Sequence, residues 1–297
     1  MTNDVIRFPF LGITIEVDPV AFSIGSFEVY WYGLLIGLGM LLCGVLAVKQ
    51  AKANKFSEDL VYDVLLVSLP SAIIGARLYY VFCEWEYYSQ DIRRIFDTRS
   101  GGLAVYGGIL GAVLGTYIMC RIRKIPFSTV LDYCIVYIPL GQAIGRWGNF
   151  FNQEAFGTTT TLPWGMTSSK ISHYLETYCP DLDPSMPVHP TFLYESLCTT
   201  AIFLVLLLAV RPNSQRRFET ASVYMVLYGI ARFFIEGLRT DSLYLGSSNI
   251  RTSQLLSLIL VFGGLALILV SHLKEWEIIP LPENAFARRE EKTKSKK

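Results

Sequence analysis

The chain of 297 residues is 52% apolar and 17% charged, with a formal net charge of +1 and a positive mean hydropathy. That balance excludes an ordinary soluble domain, gives no reason to expect a nucleic-acid partner, and fits a polytopic membrane protein.

An external N-terminal arm (1–28) comes first. A membrane-spanning helix needs about 20 mostly apolar residues, and seven such runs follow, at 29–49, 60–83, 102–120, 129–147, 191–210, 220–239 and 252–272. The first run is too long for the apolar core of a cleavable signal peptide and is expected to stay as an anchor. Lys49, Lys52 and Lys55 follow the first span, Arg121, Arg123 and Lys124 the third, and Arg211, Arg216 and Arg217 the fifth. By the positive-inside rule the N-terminus lies outside and the C-terminus in the cytoplasm. The expected fold is an all-α polytopic membrane domain of seven transmembrane helices over 1–272. A small external head (148–190), rich in proline and threonine, sits between spans four and five, and a cytoplasmic basic tail (273–297) is suited to anionic lipid head groups.

Gly107, Gly111 and Gly115 recur every four residues in the third span and predict close helix packing, and Gly33 and Gly37 in the first span suggest the same. Cys43, Cys83, Cys120, Cys134 and Cys198 lie in or beside apolar runs and read as small packing residues. Only Cys179 is clearly external; a Cys83–Cys179 disulfide has nothing in the sequence to support it, and no metal-ligand spacing occurs.

The polar residues of the spans converge on one leaflet. With the topology above, Tyr32, Arg77, Tyr106, Arg146, Tyr194, Glu195, Arg232, Glu236 and Arg239 all fall in the outer half of the membrane. The segment GQAIGRWGNFFNQEAFG (141–157) is the densest case, placing Arg146, Asn149, Asn152, Gln153 and Glu154 where an apolar run gives way to a polar loop. Such groups cost several kcal/mol in a bilayer unless paired or used. Arg232, Glu236 and Arg239 share a helix face, and Glu236 is expected to neutralise one arginine and leave the other available. Arg77, Arg146, Arg232 and Arg239 outnumber Glu154, Glu195 and Glu236, so the cavity is expected to take an anion, most simply a phospholipid head group. His189, just before the fifth span, either caps and orients or takes a proton. Neither HExxH nor GxSxG occurs. A phospholipid or anionic-solute transporter with an arginine-lined outer cavity is the alternative, weakened by the absence of an evident internal repeat; a scaffold knit by ion pairs would not explain surplus arginine.

The run Gly145-Arg146-Trp147-Gly148-Asn149-Phe150-Phe151-Asn152-Gln153-Glu154, closed by Gly157, resembles the signature of the bacterial prolipoprotein diacylglyceryl transferases. HPTFLYE (189–195), WYG (31–33), GARLYYV (75–81), SGGLAVYGG (100–108) and the Arg232/Glu236/Arg239 face are similar to other motifs of that family, in order through spans one to six. The resemblance implies a cofactor-independent enzyme of the bacterial cytoplasmic (inner) membrane, embedded among membrane lipids. It would move the diacylglyceryl group of phosphatidylglycerol onto the lipobox cysteine of a preprolipoprotein and release glycerol 1-phosphate. It also implies that Arg146 and Arg232 bind the head group and stabilise the departing phosphate. Asn149 and Glu154 would belong to the polar signature, and Tyr32, Glu236 and Arg239 match further functional positions. Arg77, His189 and Glu195 complete the expected lipid-binding set. Two positions depart from the pattern: Tyr106 stands where some members carry a histidine proposed as general base, and Phe192 where glutamine is usual. A base, if one is needed, is then Tyr106, His189 or a carboxylate; otherwise the thiol loses its proton under the field of the arginines.

Overall fold

The computed structural model describes residues 4–97, 101–245, 248, 250–282 and 285. Ser100 of the glycine motif, Arg99 and most of the basic tail lie outside that range. Among the described residues seven helices are long and apolar enough to cross a membrane, Trp31–Asn54, Glu58–Cys83, Val105–Arg123, Phe127–Asn152, Thr191–Asn213, Glu219–Leu238 and Thr252–Leu273, and they coincide with the expected runs. The largest revision is at the fourth: the helix does not end near residue 147 but continues to Asn152, so Asn149 and Asn152 are helix residues and not loop residues.

The chain forms two compact units, Met1–Cys43 with Cys134–Glu277, and Gly44–Tyr133 with Ile278–Lys297. In the second, Ser57 opens the second span by accepting a hydrogen bond from Leu60 N–H, with Glu58 and Asp59 in the first turn where the helix dipole favours them. The second and third spans approach backbone to backbone. A Cβ on Gly75 would lie 2.8 Å from Gly111 Cα, and Gly107, Gly111 and Gly115 face Gly75, Ser71 or Tyr79 with no room for a side chain. The glycine stripe therefore packs helices, as its spacing predicts. Gly33 and Gly37 do not: a Cβ on either would meet nothing within 4 Å.

In the first unit the N-terminal arm is not irregular but contains four short strands. β1 (Asp4–Phe8) pairs antiparallel with β2 (Ile13–Val17), and β3 (Val20–Ile24) with β4 (Phe27–Tyr30). The first hairpin joins the head: Arg7 and Thr167 exchange both backbone hydrogen bonds at 2.8 Å. Beneath it lies a small core that includes Ile6, Val17, Met166, Ile171, Leu175 and Val188, extended by Phe150 and Phe192 from the fourth and fifth spans. The head helix Ser169–Tyr178 is capped by Ser168, which accepts from Ile171 N–H at 3.2 Å. The sixth and seventh spans pack through Gly229 and Gly264, each facing the partner backbone at 2.8 and 2.7 Å from a hypothetical Cβ. None of the six cysteines, Cys83 and Cys179 included, is in a disulfide.

Candidate active site

Four side chains of the first unit form an alternating chain of charge. Arg146 of the fourth span lies 2.5 Å from one oxygen of Glu195 in the fifth, and Arg232 of the sixth lies 2.9 Å from the other. Arg232 also reaches Glu236, one turn on, at 2.6 Å. Glu195 and Glu236 are almost fully buried, whereas the Arg146 side chain is 25% exposed and that of Arg232 14%. The accessible end of the chain is thus positive and the sealed end negative. Each guanidinium carries five N–H donors, and these partners leave several of them on Arg146 free to receive an anion among the described residues.

A second relay orients Arg146. Glu154 accepts from Asn149 Nδ2 at 3.0 Å and from Asn152 Nδ2 at 3.1 Å, which turns the Asn149 carbonyl oxygen toward Arg146 Nη1, 3.3 Å away. The chain can place Glu154 there because Gln153 and Ala155 adopt left-handed backbone (φ 50° and 57°), an uncommon conformation for residues with a Cβ. The loop that follows ties the helix ends together. Gly157 N–H donates to His189 O at 2.9 Å and Thr158 N–H to Leu238 O at 2.8 Å, while Thr191 Oγ1 donates to Ala155 O. A Cβ at Gly157 would fall 2.8 Å from His189 Cβ and 3.0 Å from Leu238 O. Gly157→Ala is therefore expected to destabilise by about 1–3 kcal/mol and to lower turnover, since the ends of three charged spans move with this loop; thermal unfolding and an activity assay on one preparation check it. Gly148 is used likewise: a Cβ there would lie 2.6 Å from Tyr32 Cδ2, so Tyr32 packs directly over the signature helix.

Several expected site residues have other partners. Glu236 neutralises Arg232, as expected, but Arg239 is not left available: it forks onto Asp241 at 2.8 and 2.7 Å. Burial works to raise the Asp241 carboxyl, but the Arg239 hydrogen bonds and charge outweigh it and hold the group below the ordinary carboxylate range. Arg77 is corrected outright. All five of its N–H donors go to backbone carbonyls of its own unit: Nε to Ile95, Nη1 to Gly101 and Gly102, Nη2 to Arg94 and Asp97, at 2.6–2.9 Å. Nothing remains for a head group. Arg77→Ala is expected to cost more than ~3 kcal/mol by orphaning these carbonyls; Arg77→Lys, with three donors, restores only part of it in thermal unfolding. With Arg77 engaged and Asp241 added, the arginine surplus disappears: Arg146, Arg232 and Arg239 face Glu154, Glu195, Glu236 and Asp241. Tyr106, in the first turn of the third span, belongs to the other unit and is 37% exposed.

His189 is held by the fifth span. Trp164 Nε1 donates to Tyr194 OH at 2.6 Å, and the same hydroxyl is hydrogen-bonded to His189 Nδ1, 3.1 Å away, which holds the orientation of the imidazole ring. Burial keeps the His189 pKa below its ordinary 6.5. A depressed imidazole contributes stability above its unfolded pKa that is lost as pH falls through the folded one. The stability gap between wild type and His189→Gln should therefore persist at pH 7 and close only below the ordinary imidazole range, as thermal unfolding against pH will read.

A family model described as prolipoprotein diacylglyceryl transferase matches residues 19–270. Curated relatives named phosphatidylglycerol--prolipoprotein diacylglyceryl transferase include those of Finegoldia magna, 48% identical over 84% of this chain and 94% of the relative, and Clostridioides difficile, 44% over 84% and 93%. The protein of Clostridium novyi, with the same name, is 41% identical over 87% of this chain and 97% of its own. Matched from the second hairpin through nearly the whole seventh span, with the Arg146–Glu195–Arg232–Glu236 chain inside the matched region, this protein belongs to the prolipoprotein diacylglyceryl transferase family.

Proposed function

We propose that the chain is the transferase that moves the diacylglyceryl group of phosphatidylglycerol to the lipobox cysteine thiol of a preprolipoprotein, the first step of bacterial lipoprotein maturation. It works as a multi-pass enzyme of the cytoplasmic membrane with its site open to the outer leaflet, an orientation supported by the basic residues after the first, third and fifth spans. The observation that carries the reading is the alternating ion chain with its positive end accessible.

The thiolate sulfur attacks C3 of the glyceryl group; the S–C bond forms, the C–O bond to phosphate breaks, and the electron pair leaves on the phosphate of glycerol 1-phosphate. Such a displacement needs no nucleophile from the enzyme. It needs both partners in line and the departing charge matched by preset donors. Arg146 and Arg232 provide those donors, and the buried carboxylates fix where their forks point. Asn149 and Glu154 shape the approach through Arg146, Tyr32 flanks it, and Arg239 with Asp241 braces the end of the sixth span. His189, hydrogen-bonded through Nδ1 to Tyr194, serves as an orienting group. The thiol proton departs under the field of the arginines, which lowers a thiol pKa. A transporter reading has less support, because its relatives would not share this family's name and signature.

The test follows release of water-soluble glycerol phosphate from phosphatidylglycerol vesicles. Release is expected with a lipobox peptide carrying cysteine and absent with the same peptide carrying serine; release without any peptide would contradict the reading.

A further inference from the structure

We infer that Gln142 donates a hydrogen bond to an ester carbonyl of the diacylglyceryl group, held in the required orientation by Tyr224; the assignment rests on the transferase reading above. Gln142 lies one turn before Arg146 on the same face of the fourth span, toward its middle. On the sixth span Tyr224, Tyr228, Arg232 and Glu236 follow at four-residue intervals, so a neutral polar layer continues the ion chain into the membrane. Tyr224 OH donates to Gln142 Oε1 at 3.2 Å, and the Tyr224 and Tyr228 rings stack at 5.5 Å with 9° between their planes.

That bond decides what Gln142 offers. With the carbonyl end of the amide taken by Tyr224, nothing among the described residues pairs with the NH2 end. Gln142 is also only half-buried, which leaves it open to a ligand. An unpaired donor inside a membrane span is costly, which marks it as a contact to be filled.

Depth identifies the filler. Four helical residues separate Gln142 from Arg146, about 6 Å along the axis. In a phospholipid whose phosphate meets Arg146, the group about one turn deeper is the pair of ester linkages; the head-group glycerol lies on the other side of the phosphate. Ester carbonyls only accept, and the diacylglyceryl group contains no donor, so an amide offering only N–H is complementary to it.

The experiment compares ordinary phosphatidylglycerol with a phosphatidylglycerol whose chains are joined by ether links, using the full-length protein and a lipobox peptide. The ether lipid keeps the C–O bond that breaks and lacks only the carbonyls. Wild type should show a KM about tenfold higher on the ether lipid with kcat little changed, as for one lost ground-state hydrogen bond. Gln142→Met, close in volume, should carry that higher KM on both lipids and distinguish them no longer. Tyr224→Phe, which frees the amide to turn, should discriminate by an intermediate factor. Equal KM values for wild type on the two lipids, retained discrimination in Gln142→Met, or loss of kcat by that variant on both lipids would overturn the inference. Failure of wild type to transfer from either lipid would instead strike the transferase reading itself.

Discussion

Arg146→Lys is expected to lose at least ~100-fold in kcat while the protein still inserts and unfolds at nearly the wild-type temperature. The substitution keeps the charge and removes the fork. Arg146 holds Glu195 with Nη2 and Asn149 with Nη1 at the same time, 2.5 and 3.3 Å away, and still has N–H groups to present. A lysine ammonium cannot satisfy that geometry in one plane, and loss of a preset donor at a developing anion typically costs 10²–10³ in rate. Because the Arg146 side chain is 25% exposed, its replacement leaves no sealed cavity. Recovery of wild-type turnover by lysine would show that charge alone suffices.

Glu195→Gln should be the more damaging substitution to the fold. Glu195 is 3% exposed and is the common partner of two arginines from two other spans. Breaking a buried ionic network from its centre leaves uncompensated charge and costs about 3–5 kcal/mol. Turnover should fall with stability, since both guanidinium forks lose their reference point. Arg146→Gln, Arg232→Gln and the double variant should then be strongly non-additive, as residues acting through one carboxylate must be. Additive losses, measured by kcat and thermal unfolding in parallel, would show that the arginines act independently.

The spans were legible because a bilayer asks for a length and a polarity, and both can be read directly along the chain. The glycine stripe was legible for a similar reason, since only glycine permits the approach of Gly75 to Gly111. Hydropathy could not place the end of the fourth span, because Arg146, Asn149 and Asn152 are polar and yet helical, satisfied by Glu195 and Glu154 from outside the helix. The charge count failed for two reasons. Arg77 is saturated by the carbonyls of Arg94, Ile95, Asp97, Gly101 and Gly102, and backbone acceptors leave no mark in a sequence. Asp241 was passed over because it follows the sixth span, although its spacing two residues after Arg239 was a usable signal. The hairpins before Trp31 have alternating residues but much of their surface exposed, so their strands carry no clean inward pattern.

The most direct measurement of the central claim is the mass of the acceptor peptide. Purified protein, phosphatidylglycerol and a lipobox peptide should yield a peptide heavier by one diacylglyceryl group on its cysteine, stable to conditions that cleave thioesters because the link is a thioether. Arg146→Lys should yield little of it. An unmodified peptide after prolonged incubation with well-folded wild-type protein would contradict the account.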